Sequence, residues 1–198
     1  MSSLVAAIVK MPDGAWTKLR ALHVESTSSA MTPWLLVDAG TRFGKIEAFG
    51  ESVARDLGTE VIAISAQTSA DAYGLWHFRG SERVRVLVYS RDEGGWITDQ
   101  GSTQDWEPTF FFDDRASTAA GDDANDWPDN LYDDMSDDDR VRYEAAKTIG
   151  DARSILGLLH PSSLAPFTRL CWHFGLELQK PGAVWSPPKL GLLSKLFG

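Results

Sequence analysis

Residues 72–89 of the chain, AYGLWHFRGSERVRVLVY, decide the fold. Residues 72–79 and 82–89 are rich in the aromatic and β-branched residues that favour strands, and Arg79-Gly80-Ser81 separates them as a turn. A third run, residues 95–98, follows the turn Asp92-Glu93-Gly94-Gly95. Three consecutive strands joined by short turns predict an antiparallel β-meander.

The second run alternates in a pattern that predicts which face of the meander is buried. Valines occupy positions 84, 86 and 88 and alternate with Arg83, Arg85 and Leu87. Because successive strand residues point to opposite faces of a sheet, this alternation predicts a meander with one buried face.

Upstream of the meander, the pattern is mainly that of strands with one helix. Residues 4–10, 18–24 and 34–37 are predicted strands, and residues 60–68 form another. Residues 41–57 are a predicted helix, because apolar residues recur there at three- and four-residue spacing and Gly58 follows as a C-terminal glycine.

Downstream, two helices are predicted. The first covers residues 137–159, begins after the capping residue Ser136, and has three aspartates in its first turn. Its predicted apolar face consists of Val141, Ala145, Thr148, Ala152, Ile155, Leu156 and Leu159. The second covers residues 164–174, between Ser163 and Gly175, and we expect the two to form a helical hairpin against the sheet.

These elements predict an α+β fold in which a mixed or antiparallel sheet with a β-meander packs against one helix and a C-terminal helical pair. Residues 1–112 are the expected β-rich core, and residues 113–135 are an expected acidic loop. Residues 136–198 are expected to contribute the helical pair and an apolar tail that packs on the same domain.

The charge of the chain is concentrated in one segment. The net charge is −9, but residues 105–139 hold 13 acidic residues and only one basic residue, Arg115, which gives −12 there and +3 elsewhere. Such a segment repels nucleic acid and attracts basic partners. The acidic and aromatic residues predicted to bind a partner protein are Asp113, Asp114, Asp122, Asp123, Asp126, Trp127, Asp129, Tyr132, Asp133 and Asp134.

No motif predicts a catalytic residue, a metal site or a cofactor. Residues 40–45, GTRFGK, resemble a phosphate-binding loop, but the glycine spacing is one residue short and Ile46 replaces the required Ser or Thr. No register of the acidic run fits an EF-hand loop. Cys171 and His173 lie two residues apart on a helix and so face different directions, which favours a buried cysteine and a helix-capping histidine.

Two further features bear on function. Asp105 and Glu107 bracket Trp106, and on a strand both carboxylates would lie on one exposed face of a sheet edge. The apolar end of the chain, residues 190–197 (LGLLSKLF), is too short to span a membrane. A single cysteine and the lack of a signal-like N-terminus predict a cytoplasmic protein without a membrane span.

Several motifs resemble those of a loose group of uncharacterised bacterial proteins. They are Arg79-Gly80, the strand at residues 84–89, Gly95-Trp96, Gln104-Asp105-Trp106-Glu107 and His173-Phe174-Gly175-Leu176, within residues 61–185. The small acidic α+β form also resembles bacterial immunity proteins, which neutralise toxin effectors. This second resemblance implies a binding protein, and neither resemblance supplies catalytic residues.

Three functional hypotheses follow from the sequence. The first is a non-catalytic, immunity-type inhibitor that occludes a basic partner protein such as a toxin effector. The second is an enzyme of unrecognised class, with a site in a cleft near residues 38–45 or around His173. The third is an acidic mimic of nucleic acid that blocks a DNA-binding protein, since spaced carboxylates can imitate phosphates.

Overall fold

The structure is a computed structural model that describes residues 3–12, 25–27, 32–39, 44–112 and 128–176, with the backbone alone described at residues 25–27, 129 and 130. Seven strands form one sheet in the order β2-β3-β1-β4-β5-β6-β7, and every neighbouring pair is antiparallel. The strands are β1 Ser3–Lys10, β2 Glu25–Thr27, β3 Trp34–Asp38, β4 Glu60–Gln67, β5 Ala72–Arg79, β6 Glu82–Ser90 and β7 Gly95–Gly101. The predicted α+β fold and its meander are confirmed, whereas the predicted strand at residues 18–24 lies outside the described residues.

Within the described residues, four α-helices and two 3₁₀ helices accompany the sheet. The α-helices are α1 Ile46–Leu57, α2 Glu107–Phe112, α3 Asp137–Ile149 and α4 Ala165–His173. The 3₁₀ helices are Asp129–Asp134 and Ala152–Leu158. Helix α1 ends at Gly58 in the left-handed conformation, as its C-terminal glycine predicts. Ser136 accepts a hydrogen bond from the Asp139 N–H and caps α3, as also predicted.

The sheet is covered on both faces in its centre. On one face, Ile46, Val53 and Ala54 of α1 pack against the sheet cluster that includes Val61 and Phe78. On the opposite face, the remaining helices bury a larger, aromatic-rich cluster. It includes Ile62, Ile64, Leu75, Leu87, Trp106, Phe110, Phe111, Tyr143, Phe167 and Leu170.

The prediction of one buried face for the meander is therefore wrong. In β6 the consecutive residues Arg85, Val86 and Leu87 are all buried, while Val84 and Val88 are only partly buried. Alternation along one strand records the polarity of the side chains but not whether a second layer covers the polar face. Here the helices on the far side cover that face, and Arg85 is buried with it.

The predicted helical pair also differs from the observed helices. Helix α3 ends at Ile149 because Gly150 adopts the left-handed conformation, and a separate 3₁₀ helix capped by Asp151 follows. Helix α4 packs on α2, so the expected hairpin of two long helices does not form. The buried side of α3 carries Tyr143 and Ala146, and the predicted apolar position Val141 is exposed.

Gly50 permits the close approach of α1 to the sheet. A Cβ atom at this position would lie 2.7 Å from the Ala63 Cβ and 3.3 Å from the Phe78 ring. Atoms of the β4 backbone hold Ala63 in place, so the helix itself would have to move outward.

We predict that Gly50→Ala lowers the free energy of unfolding by about 1–3 kcal/mol, because the clash outweighs the gain in helix propensity. Chemical denaturation measures this change. Gly157→Ala is the matched control, since nothing lies within 4 Å of the added Cβ and that variant should remain near the parent's stability. Equal stability of the two variants would contradict the proposed close contact.

Candidate functional site

The residues predicted to bind a partner fall into two groups. Asp113, Asp114, Asp122, Asp123, Asp126 and Trp127 lie outside the described residues. Asp129, Tyr132, Asp133 and Asp134 lie in the first 3₁₀ helix, immediately before α3. The structure therefore shows the C-terminal part of the acidic segment as helical backbone.

Tyr132 packs on the body of the protein. Its ring centroid lies 5.9 Å from that of Tyr143, and the guanidinium carbon of Arg140 lies 5.2 Å from its ring centroid. Arg140 also donates hydrogen bonds of 2.9 Å to the carbonyl oxygens of Tyr132 and Asp133. These contacts hold the 3₁₀ helix against the first turn of α3.

The start of α3 carries an acidic surface, which we define as Asp133, Asp134, Asp137 and Asp138. All four residues are exposed. Asp137 lies 3.8 Å from Arg140, whereas Asp133, Asp134 and Asp138 form no ion pair with another described residue. The acidic surface thus presents a net negative charge on backbone that is fixed by a capped helix and by Arg140.

An apolar stripe follows the acidic surface along the outer side of α3. The α3 stripe consists of Val141, Ala145 and Ile149, which are four residues apart and therefore share one helix face. Val141 is 70% exposed and Ile149 is 75% exposed. Asp138 precedes Val141 on the same face, and Glu144 is exposed beside it. Exposed apolar residues in a contiguous, acid-rimmed row are typical of a docking surface.

A second polar feature is buried between the sheet and α2. The Arg85 side chain is 0% exposed and forms a bidentate ion pair with Glu107. The Nε–Oε1 and Nη2–Oε2 distances are 2.8 and 2.9 Å. Its Nη1 atom donates to Asp99 and to the Gln100 carbonyl oxygen. Burial alone would lower the pKa of Arg85, but the hydrogen bonds and charges of Glu107 and Asp99 raise it.

Glu107 connects this pair to the segment that enters α2. Its Oε1 atom accepts a 2.7 Å hydrogen bond from the Gln104 N–H, and the Gln104 side chain accepts another from Arg79. At the other end of the cluster, Arg153 donates to Asp99 at 2.8 Å. The ion pair consequently joins β5, β6, β7 and the second 3₁₀ helix to the start of α2.

The prediction that Asp105 and Glu107 share an exposed strand edge is wrong. Residues 107–112 form a helix, Asp105 is exposed in the preceding turn, and the Glu107 side chain is 1% exposed. The turn reverses the chain after β7, so the two carboxylates no longer alternate as they would on a strand. Glu107 also adds no net charge to the acidic surface, because Arg85 neutralises it.

His77 lies beside this cluster and is held in one tautomer. Its Nδ1 atom accepts a hydrogen bond of 3.3 Å from the Trp106 indole N–H, and its Nε2 atom lies 3.1 Å from the Glu60 carboxylate. An indole N–H can only donate, so Nδ1 must carry a lone pair and Nε2 the proton. Burial lowers the pKa of His77 to about 4, although the negative charge of Glu60 opposes the shift.

Glu60, in contrast to the neutral His77, is negatively charged at neutral pH because basic side chains surround it. Burial would raise the pKa of Glu60, but the Arg79 hydrogen bond and the positive charges of Arg79 and Lys10 lower it below its ordinary value. The Arg79 Nε atom is 2.8 Å from the carboxylate. The polar groups of the Arg85–Glu107 pair and of the His77–Glu60 pair thus form their hydrogen bonds within the protein. This arrangement is typical of a structural role.

The other sequence motifs occupy ordinary structural positions. The Cys171 side chain is fully buried, and burial raises the pKa of its thiol to about 12, which suppresses the reactive thiolate. His173 lies in the last turn of α4, with Nδ1 3.3 Å from the Thr109 hydroxyl. Lys45 is exposed at the start of α1, and residues 40–43 lie outside the described residues.

No group of three or more His, Cys, Asp or Glu residues could hold a metal ion within the part of the chain that the structure describes. None of the described helices is both long and apolar enough to cross a membrane.

Comparison with known proteins yields no relatives: no family model, no curated protein and no solved structure matches this chain. The resemblance to bacterial immunity proteins therefore stays a prediction.

Sequence reasoning missed both the buried ion pair and the direction of the α3 stripe. Arg85 interrupts the apolar run Val84–Val88, and Glu107 precedes Phe110-Phe111-Phe112. A basic residue inside one apolar run and an acidic residue just before another are a signal for a buried ion pair, because a buried charge requires a partner. The direction of the α3 stripe depends on which side of the helix meets the sheet, and this is not encoded in spacing alone.

We predict that Arg85→Met lowers the free energy of unfolding by about 3–5 kcal/mol, because Glu107 is left buried without a counterion. The double variant Arg85→Met with Glu107→Leu should recover part of that loss, since both charges are removed together. Urea denaturation of the parent, both single variants and the double variant forms the required cycle. Additive losses would show that the two side chains do not interact as described.

We predict that stability falls as the pH falls from 6.5 toward 4, by about 2 kcal/mol at pH 5, because unfolded His77 binds a proton that the folded protein excludes. The contribution is complete above pH 6.5, the ordinary value for histidine. Denaturation measured at several pH values gives the slope, which His77→Gln should flatten between pH 6.5 and 5. An unchanged slope in that variant would assign the acid sensitivity to other groups.

Proposed function

We propose that this chain is a non-catalytic binding protein whose acidic surface and α3 stripe dock a basic partner protein. The observation that carries the proposal is that the acidic surface, at the end of the first 3₁₀ helix and in the first turn of α3, adjoins the α3 stripe on the exposed side of α3. Carboxylates attract a basic surface from a distance, and an exposed apolar row supplies buried area once the partner has docked.

The buried polar groups support a binding role over catalysis. Arg85 and Glu107 are buried against each other, buried His77 is paired with the partly exposed Glu60, and the Cys171 thiol is inert through burial. The acidic residues at 133–138, by contrast, are exposed and only partly neutralised. The exposed carboxylates thus support recognition at the surface, whereas the hydrogen bonds of Arg85, Glu107 and His77 support a structural role for these buried groups.

In its specific form, the proposal is an immunity-type inhibitor that neutralises a toxin effector by occlusion. The acidic residues would steer toward a basic active site, and the apolar stripe would hold the complex in place. Such steering weakens as salt rises, because exposed charges are screened over about 8 Å at physiological ionic strength. A bacterial cytoplasmic setting belongs to this specific form of the proposal.

An acidic mimic of nucleic acid is the competing binding role. The α3 stripe favours a protein-docking surface, because apolar side chains add nothing to the imitation of phosphates. Competition between this chain and DNA for a captured partner would favour the mimic instead.

We predict that the immobilised chain captures one stoichiometric basic protein from the lysate of its source at low salt and loses it at high salt. The triple variant Asp133→Asn, Asp134→Asn, Asp138→Asn should reduce capture roughly ten-fold or more, because it removes the unneutralised charges. Mass spectrometry identifies and quantifies the captured protein.

The matched control makes the same change in charge at a distance from α3. Glu82→Gln, Asp92→Asn and Glu93→Gln alter three exposed residues in the turns of the meander. This control should capture the partner as the parent does. Equal loss in both triple variants would show that net charge, and not the acidic surface, governs binding.

A further inference from the structure

The exposed apolar stripe on α3 lacks a covering element among the described residues. Val141 and Ile149 are the two most exposed of the large hydrophobic residues identified as exposed, while Tyr143 and Ala146 on the inner side of the same helix are buried. Burial of an aliphatic row that is otherwise in contact with water is favourable, because apolar surface is removed from water. The stripe is therefore a surface that gains stability from an occupant.

The charge around the α3 stripe restricts what can occupy it. Asp137 continues the four-residue spacing of Val141, Ala145 and Ile149, and Asp138 and Glu144 flank the row three residues before and three residues after Val141. Arg142 is the exposed cation nearest in sequence, and its charge is paired with Asp139 at 2.9 Å. The complementary occupant is an apolar segment that carries positive charge and no carboxylate side chains.

One segment of this chain has that composition. Residues 178–198 contain Lys180, Lys189 and Lys195 and no Asp or Glu. The apolar side chains of this region are concentrated in residues 189–197, KLGLLSKLF, between and after the last two lysines. No other function described above uses this segment.

The connection from the described part of the chain is long enough. Leu176 is buried in the same hydrophobic cluster as Tyr143 and Ala146, so the chain leaves α4 on the face of the sheet that carries α3. Twelve residues lie between Leu176 and Lys189, and an extended chain of that length spans on the order of 40 Å. That distance is comparable to the diameter of a domain of this size.

We propose that residues 189–197 bind the α3 stripe and regulate it by competing with the partner protein. The lysines pair with Asp137, Asp138 and Glu144, and the leucines cover Val141, Ala145 and Ile149. This inference rests on the surface assigned under the proposed function, and it adds an intramolecular competitor for that surface. A basic partner must displace the segment before it docks, which lowers its apparent affinity.

The test measures whether the α3 stripe is covered in the full chain. Ala145→Cys places a thiol in the α3 stripe, and the native Cys171 does not compete for the reagent because it is fully buried. Ala48→Cys is the matched control, since Ala48 is an exposed alanine on α1 at the opposite face of the sheet. Each thiol is labelled with a maleimide in the full chain and in the full chain that also carries Leu193→Asp and Leu196→Asp.

Labelling of Ala145→Cys should be roughly five-fold or more faster when the two leucines are replaced, because the stripe is then uncovered most of the time. Labelling of Ala48→Cys should not change. Equal rates for Ala145→Cys with and without the leucine substitutions would overturn the proposal, and so would slow labelling in both.

The partner capture described above separates this proposal from the proposed function. If a partner is captured while the labelling rates stay equal, the proposed competition by residues 189–197 is wrong and the proposed binding function stands. If the labelling rate changes while no partner is captured at either salt concentration, the α3 stripe is an intramolecular contact and the proposed binding function is wrong. If both hold, the leucine variant should capture more partner than the parent chain.

Discussion

The ion pair between Arg85 and Glu107 is the constraint on which the arrangement around it depends. A guanidinium enclosed between a sheet and a helix is tolerated only when its donors are satisfied, and here Glu107, Asp99 and the Gln100 carbonyl oxygen satisfy them. This requirement fixes how the chain turns after β7 and where α2 begins. Since α4 packs on α2, the position of the helical layer follows from the same contact.

Burial sorts the polar residues of this protein into two populations with different uses. Those beneath the helices on the aromatic-rich face of the sheet, including His77 and Glu60, form hydrogen bonds with neighbouring side chains and stabilise one arrangement of the core. Those at the start of α3 are exposed to water, and the packing of the core does not depend on them. The proposed binding surface would therefore use no side chain that holds the core together.

In helix α3, the residue at which the helix ends determines which of its sides is buried and which is exposed. The row Val141, Ala145 and Thr148 has the spacing of a core-facing stripe, and continuing the helix to Leu159 would extend it. Gly150 ends the helix first, and Tyr143 and Ala146 take the inner side. The Tyr143 ring packs against Phe112 and Tyr132, with centroid distances of 5.9 Å, and this contact leaves the aliphatic row on the outer side of the helix.

The sequence by itself determined the strands from β4 to β7, the strands β1 and β3, the end of α1 at Gly58 and the cap at Ser136, because these depend on local periodicity and on turn and capping chemistry. It also located the acidic segment, since charge is read directly from composition. Only the tertiary structure decided that both faces of the sheet are covered, that Arg85 meets Glu107 across 22 positions, and that the α3 stripe faces outward. Each of these depends on which elements meet in space, and spacing along one strand or helix carries no information about its neighbour on the far side.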